Sequence, residues 1–476
     1  MESTKTILIG GAWSSGTRTI KILSPATGKV VGDLDYGGKD EAEAALSAAA
    51  KAFPSWSQCP PRARAEVLRR TAQLLVERKD TIGKVLAEET GKRLPEAVAE
   101  VQFASEYFRW FSEEVRRPHG NVIPHEIDGR RHMTISRPSG VAAILTPWNF
   151  PVSIQARQLA AALGAGCTVV ARASESAPLA VVELFRLMQE AGCPDGVVNL
   201  VHGPAAEITE TWLNSPVVRV VSFTGSTKVG RDIMRLATNH MIRPCLELGG
   251  DAAFIVFDDA DIDASVAGAM IAKFRNNGQS CLAANRFLVH EKIYERFVGK
   301  LVEAINAMTI GDGCSNPVPD LSPLINDGRV SAVRLLVEEA LENGARKLTR
   351  DFELPNIGSY MEPMLLGDVQ PHVSLACTEV FGPVAGVFRF SSDEEALAKA
   401  NNTEFGLAAY IYTRDLGRSW YFGERLQAGI IGINNPLPPV AYAPMGGVKQ
   451  SGIGREGGNK GLEEFEDLHY LALGIQ

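Results

Sequence analysis

What most restricts the fold of this chain is the repeating order of short apolar runs and helix-length segments through its middle. Between Gly140 and Thr238 the pattern reads strand Gly140 to Leu145, helix Val152 to Leu163, strand Cys167 to Ala171, helix Leu179 to Ala191, strand Val197 to Val201, strand Val217 to Phe223, then a helix towards Thr238. Strands separated by helices pair in parallel, and a parallel sheet must be covered on both faces. A second series begins beyond Gly250. It holds strand Phe254 to Phe257, a helix capped by Asp258-Asp259 and running towards Arg275, strand Arg286 to His290 and helices ending near Ala307. It continues through Leu335 to Glu342, Val387 to Phe390, Glu394 to Asn401, Ala408 to Tyr412 and Gly429 to Ile433. At 476 residues the chain exceeds the length, roughly 250 to 300 residues, at which a single core stops growing, so two or three α/β domains are expected.

The flanks read differently. An Ala-rich helix opens at Lys39 and runs to about Phe53, and Pro61 opens a long amphipathic helix with Val67, Leu68, Leu74 and Leu75 on one face. A third helix is expected through Glu89 and another from Pro95 to Arg116, before Pro118, Gly120 and Pro124 break the pattern. The strand-like pieces His132 to Ser136 and Glu464 to Ile475 have no helix after them, and together they could form an arm that pairs with another subunit.

Charge and composition exclude several function classes. A net charge of −8 and short basic patches, Arg62-Ala63-Arg64 and Arg130-Arg131, argue against a nucleic-acid surface, which needs clustered cations in excess. No apolar run approaches the length of a membrane span, and Met1-Glu2-Ser3-Thr4-Lys5 does not open a signal peptide, so a cytoplasmic protein is expected. Seven cysteines without Cys-x-x-Cys pairing or a suitably spaced His point to reduced thiols and imply no metal.

One of those cysteines stands apart. Cys281 follows Asn276-Asn277-Gly278-Gln279-Ser280, a polar turn that supplies amide dipoles and lets backbone approach a ligand, so it reads as a nucleophile. No histidine falls in the segments that look chemical, which leaves the base role to a carboxylate. Glu247, between two leucines and beside Gly249-Gly250, is placed to have a raised pKa suited to a general base. Each segment also has a plain reading, a structural cysteine in a turn and a solvated strand end. The turn Thr224-Gly225-Ser226-Thr227-Lys228-Val229-Gly230 follows a strand and precedes a helix, as a nucleotide-binding turn would, but Gly-x-x-x-x-Gly lacks the dinucleotide fingerprint and the Lys of a phosphate loop.

Six ordered pieces carry a family resemblance over nearly the whole chain. They are Thr146-Pro147-Trp148-Asn149-Phe150-Pro151, Phe223-Thr224-Gly225-Ser226-Thr227, Leu246-Glu247-Leu248-Gly249-Gly250, Gly278-Gln279-Ser280-Cys281, Glu379-Val380-Phe381-Gly382-Pro383 and Gly446-Gly447-Val448-Lys449-Gln450-Ser451-Gly452. The sequence resembles the aldehyde dehydrogenase superfamily. The resemblance implies a Rossmann-like parallel-sheet NAD(P) domain (residues 1–119 and 140–248), an α/β catalytic domain (249–440) and a small β-strand oligomerisation arm (120–139 and 460–476) that joins subunits into homodimers or homotetramers.

The implied chemistry is oxidation of a small-molecule aldehyde to an acid. The Cys281 thiolate attacks the aldehyde carbon, the Asn149 side chain and the Cys281 N–H hold the oxyanion, and Glu247 activates the water that hydrolyses the resulting thioester. For the cofactor the resemblance implies Trp148, Arg172, Glu175, Gly225, Ser226, Gly230, Glu379 and Phe381. Arg172 stands where the family has lysine and Ala173 where it has proline. Glu175 would accept from ribose hydroxyls and repel a 2′-phosphate, favouring NAD, whereas Arg172 with Ser174 could still take NADP. The worn-down piece Gly203-Pro204-Ala205-Ala206 is given no role.

For the substrate, Lys273-Phe274-Arg275-Asn276, Phe405 to Tyr412 and Gly452 to Gly457 resemble the succinate semialdehyde dehydrogenase branch. In that branch two arginines grip the substrate carboxylate, and Arg157 and Arg275 hold the matching positions. Arg157 has a second reading, a salt-bridged helix residue. A serine of that branch is replaced within Pro438 to Tyr442 and a second cysteine by Ala283, so a bulkier uncharged aldehyde, walled by Tyr442 and Trp110, is the alternative. A non-catalytic NAD-binding protein is the remote one, since it would have no reason to retain Cys281, Glu247 and Asn149 together.

Overall fold

A computed structural model describes residues 5–117 and 120–475. Two large sheets organise it. The first has eight strands in the order Gly452–Ile453, Arg243–Glu247, Val218–Thr224, Val141–Leu145, Thr168–Arg172, Val198–Leu200, Ile7–Ile9, Ala12–Ser14. Its five strands from Arg243–Glu247 to Val198–Leu200 are parallel, as the alternation requires. The second has seven, in the order Arg346–Lys347, Met364–Gly367, Val384–Phe390, Ala284–His290, Ala252–Val256, Ala408–Tyr412, Ile430–Ile433, with only its outermost pair antiparallel.

Burial explains why the central strands are apolar without interruption. Every residue of Val141–Leu145 is buried, but successive side chains serve different cores. Ala142 and Ile144 pack with helices Pro61–Thr90, Leu94–Glu114 and Pro151–Ala165, whereas Val141, Ala143 and Leu145 pack with helices Lys39–Ser57 and Ala205–Leu213. Ala252–Val256 divides the same way, Phe254 on one face and Ile255 on the other. Each such side chain contributes about 1.5–3 kcal/mol by leaving water, so a charge at Ile144 would unseat both layers.

The third sheet is the arm, in the order Glu466–Gly474, Arg130–Pro138, Val122–Ile123. Glu466–Gly474 runs antiparallel to Arg130–Pro138, with Leu471 opposite Met133. Leu468, Tyr470 and Leu473 stay exposed, so this ribbon has no core of its own. Arg243 anchors its base, donating to the carbonyls of Glu464 (3.1 Å) and Glu466 (2.8 Å) and pairing with Asp467 at 2.6 Å.

Four expectations change. The helices expected on either side of residue 80 are one helix, Pro61–Thr90. Helix Ile262–Phe274 is capped by Asp261, which accepts from the Ala264 N–H at 3.1 Å, while Asp259 bonds Thr413 and Arg418 instead of the helix. Residues 460–463, expected in the arm, form a short helix packed on Pro151–Ala165. The N-terminal strands and Gly452–Ile453 have no counterpart in the alternation. Pro118, expected as a breaker, and Met1 to Thr4 lie outside the described residues.

Candidate active site

The parallel strands of the first sheet all end at one edge, and the sequence places its chemical residues there. Glu247 is the last residue of its strand, beside Thr224 on one side and Gly452 on the other. The next residues, Leu248 to Asp251, cross directly into strand Ala252–Val256 of the second sheet. Gly250 is required at that crossing, because a Cβ there would collide with the Cys281 carbonyl oxygen. The base strand and the cysteine loop therefore touch through backbone.

The loop before Cys281 is held in an unusual shape. Asn276 (φ 52°), Asn277 (φ 56°) and Gly278 (φ 74°) are consecutive left-handed residues, and a Cβ on Gly278 would strike the Gly382 carbonyl. Asparagine and glycine tolerate this region best, and the surroundings must fix it. They do so with buried amides. Asn277 Nδ2 donates to Ser322 Oγ and the Pro323 carbonyl, both at 3.1 Å, and Gln279 Oε1 accepts from the Ile325 N–H at 2.9 Å.

Asn149 is brought to this loop from the first sheet. Its Nδ2 donates to the Gln279 carbonyl at 3.1 Å, and its Oδ1 has no partner. Its own carbonyl accepts from Lys92 Nζ at 2.8 Å and Asn276 Nδ2 at 3.0 Å. Lys92 is buried, ion-paired with Glu100, and stands 4.2 Å over the Phe150 ring. Glu100 in turn accepts from the Val152 N–H at 3.0 Å and the Ser153 N–H at 3.2 Å, at the start of helix Pro151–Ala165. Lys92, Glu100 and Gln279 thus position Asn149. The sequence showed Gln279 only as part of the polar turn before Cys281, and Lys92 and Glu100 only as charges that local spacing does not tie to Asn149.

Burial dominates the electrostatics. The Glu247 side chain is buried and, beyond an approach by the Gly447 N–H, neither oxygen has a hydrogen-bond partner. Desolvation, with Glu456 as a like charge, raises its carboxyl to about 8, against the pull of Arg157 and Arg455. Cys281 is half-buried, and desolvation, then Glu379, then Glu247 push its thiol up to about 12. Burial therefore favours the protonated thiol. Desolvation also raises Glu379 to about 7, while its Oε1 accepts from the Gly250 N–H at 3.0 Å.

The nucleotide-side residues gather along the same edge. Trp148 and Phe381 meet edge to face at 5.4 Å, with Phe381 in the left-handed region (φ 51°). Arg172, at the end of its strand, donates Nε to the Gly203 carbonyl (3.1 Å) and pairs with half-exposed Glu175 (2.5 Å). Ser226 caps helix Thr227–Ala237, accepting from the Val229 N–H at 3.4 Å, and Gly225 donates to the Glu247 carbonyl at 3.0 Å. A Cβ on Gly230 would lie 2.5 Å from Leu248, so this glycine serves helix-to-strand packing. The start of this helix, with exposed Val229 beside it, and the two rings offer a surface that fits a dinucleotide.

The two arginines part company. Arg275, half-buried at the end of helix Ile262–Phe274, lies 5.2 Å over the Phe150 ring and shares a small pocket with Ser280, Leu282 and Tyr410. It has no acidic partner among the described residues. Arg157 is only 5% exposed, is ion-paired with Glu456, lies 5.9 Å over the Tyr107 ring and points one nitrogen at Met445 Sδ. Its salt-bridged reading is the one the coordinates display. Trp110 and Tyr442, the alternative pocket walls, stand 6.3 Å apart, with Tyr442 exposed.

Comparison with known proteins bears on this geometry. The model of the aldehyde dehydrogenase family matches residues 13–470. The chain is 40% identical over 470 residues to the succinate-semialdehyde dehydrogenase [NADP(+)] GabD of Escherichia coli, covering 98% of this chain and 97% of that protein. It is 41% identical over 468 residues to a glutarate-semialdehyde dehydrogenase of Pseudomonas aeruginosa, covering 98% and 97%. The solved succinate-semialdehyde dehydrogenase of Burkholderia pseudomallei superposes with a TM-score of 0.97 at 40% identity, covering 99% of this chain and 98% of that one.

Proposed function

Because the chain belongs to the aldehyde dehydrogenase family, we propose that it oxidises a semialdehyde, succinic semialdehyde or one of similar length, to the dicarboxylic acid with NAD or NADP as acceptor. The observation that carries this reading is the meeting of Cys281, Asn149 and an unpartnered Glu247 carboxylate where the two sheets join.

Glu247 takes the Cys281 proton and passes it to solvent, and the sulfur adds to the aldehyde carbon as the carbonyl opens to an oxyanion. The oxyanion that forms is held by Asn149 Nδ2 and the Cys281 N–H, the first of them kept in place by the Gln279 carbonyl and by Lys92 at the Asn149 backbone. A bound dinucleotide would supply the acceptor for the hydride on that carbon, and collapse of the oxyanion would then leave an acyl thioester on Cys281. Glu247 then removes a proton from water, whose oxygen adds to the thioester carbon, and the C–S bond breaks to release acid and thiolate. Arg275 holds the distal carboxylate, and its unpaired state supports that role. Trp148, Phe381 and Glu379 would hold the nicotinamide end of a bound dinucleotide and Gly225 and Ser226 its pyrophosphate, with Gly230 packing their helix on the strand of Glu247. Arg172 and Glu175 would hold the adenosine ribose, where the Glu175 carboxylate would favour NAD.

The exposed arm supports homo-oligomers, its unpaired apolar residues covered by a second copy. Among the described residues no helix is long and apolar enough to cross a membrane. The seven free cysteines support a cytoplasmic, reducing setting.

The test is a substrate panel. Succinic semialdehyde, benzaldehyde and acetaldehyde are offered with each dinucleotide while absorbance of the reduced form is followed. Succinic semialdehyde should give the highest kcat/KM, and preference for benzaldehyde would reject the assignment.

A further inference from the structure

Two consecutive residues of strand Ala284–His290 reach the same carboxylate. Arg286 Nε pairs with Asp251 Oδ2 at 2.8 Å, its Nη2 donates to the Asp251 carbonyl at 3.0 Å, and Asn285 Nδ2 approaches Asp251 Oδ1 at 3.4 Å. Neighbours in a regular strand point to opposite faces. Here the pairing with strand Ala252–Val256 steps from Ala252 opposite Ala284 to Ala253 opposite Arg286, so Asn285 is the extra residue of a bulge. A bulge re-aims a side chain, and this one lets Asn285 take a second partner. Its Oδ1 accepts from Lys273 Nζ at 2.9 Å. All four side chains are buried, Lys273 completely.

The places these groups join give the arrangement its meaning. Lys273 lies in the last turn of helix Ile262–Phe274 and Asn285 near the start of the strand after Cys281, so their bond closes the base of the loop that carries the left-handed residues 276–278 and the thiol. Asp251 follows Gly250, whose N–H donates to Glu379 Oε1 at 3.0 Å and whose missing Cβ makes room for the Cys281 carbonyl. Arg286 ties the whole to a fixed frame, donating to the carbonyls of Lys399 (2.8 Å) and Ala400 (3.1 Å) at the end of helix Asp393–Asn401.

We propose that Lys273, Asn285 and Asp251 form a buried clasp of positioning residues that holds the Cys281 loop and the Glu379 carboxylate in one register, so that the thiol stays aligned with the end of the dinucleotide that Glu379 would hold. The inference rests on the dinucleotide reading above. Lys273 is a poor device for stability, because desolvating an ammonium is costly and one amide acceptor offsets only part of it. What it supplies is a fixed distance between the two stems of the loop. With the clasp cut, the Gly250 N–H loses its set position and Glu379 its preorganisation, and the ordering they lack must then be supplied when the dinucleotide binds.

The experiment measures the dissociation constants of NAD and NADP by quenching of tryptophan fluorescence in the full-length protein, with melting temperatures recorded alongside. The variants are Lys273→Met, Asn285→Leu, Asp251→Asn, Glu379→Ala and the double variant Lys273→Met with Glu379→Ala. Each of the first three should weaken the preferred dinucleotide by about tenfold, and the loss caused by Lys273→Met should shrink to less than about twofold once Glu379 is already alanine. Lys273→Met should not lower the melting temperature, since it replaces a buried charge with an apolar side chain of similar size. A lower melting temperature with affinity unchanged, a loss in Lys273→Met that Asn285→Leu does not share, or losses that simply add in the double variant would each overturn the proposal. If Asn285→Leu or Asp251→Asn does not fold, Lys273→Met in the two backgrounds decides the matter alone. Failure of the dinucleotide reading is visible separately, as a wild-type protein that binds neither NAD nor NADP.

Discussion

Replacing Glu247 with glutamine should stabilise this protein while disabling it, and the gain should depend on pH. Neither carboxylate oxygen has a hydrogen-bond partner among side chains, so the change to an amide forfeits little bonding. It removes a group whose carboxyl is raised from 4.5 to about 8. A folded-state value above the unfolded one means stability that is present below pH 4.5 and is lost as pH rises towards 8. That rise sets a ceiling of roughly 5 kcal/mol against the ionised form. Half of it would move a urea midpoint by at least about 0.5 M. Wild type and Glu247→Gln are unfolded in urea at matched protein concentration between pH 4.5 and 9. The midpoints should converge at the acid end and separate steadily to pH 8, with the variant the more resistant. A separation independent of pH, or a wild type that gains on the variant as pH rises, would refute the reasoning.

Other outcomes follow from the same coordinates. Glu247→Gln, which deprives both the Cys281 thiol and the hydrolytic water of their base, should slow the first burst of reduced dinucleotide and stall turnover, with the burst recovering as pH rises, whereas Cys281→Ser should give neither burst nor turnover at any pH in stopped-flow absorbance. Asn149→Ala, which removes an oxyanion donor, should lower kcat by about 10²- to 10³-fold with the fold intact by circular dichroism. Gly278→Ala forces a side chain into the left-handed region against the Gly382 carbonyl and should cost at least ~1–2 kcal/mol, read as a lower melting temperature together with slower burst kinetics. Glu175→Gln should raise kcat/KM for NADP relative to NAD, measured with the same aldehyde.

The alternation of strands and helices was legible because Val141–Leu145 and Ala252–Val256 are covered on both faces and so must be apolar throughout. The two arm strands were legible for the opposite reason, since nothing helical follows them. Helix Pro61–Thr90 was read as two, and a glycine, Gly83, lies within it among good helix formers. In the structure Gly83 lies against Val98, where a Cβ would come within 2.7 Å of that side chain, so packing with the neighbouring helix overrides local preference. Asp258-Asp259 was a sound capping signal two residues too early, in a run where Asp261 does the capping. The site residues in short motifs could be named from the sequence. Glu456 could be quoted but given no role, because its bond to Gln158 spans 298 residues and no spacing rule reaches that far.

The strand bearing Glu247 has Gly452–Ile453 as its outer neighbour, and the arm closes only when Glu466–Gly474 joins Arg130–Pro138. Both seams are closed by residues 452–474, far along the chain from Glu247 and from the first arm strand. Contacts of such long sequence separation must meet a loop-closure cost before they reward it, so the strand that carries the glutamate gains its outer neighbour only after the local helices and turns have formed.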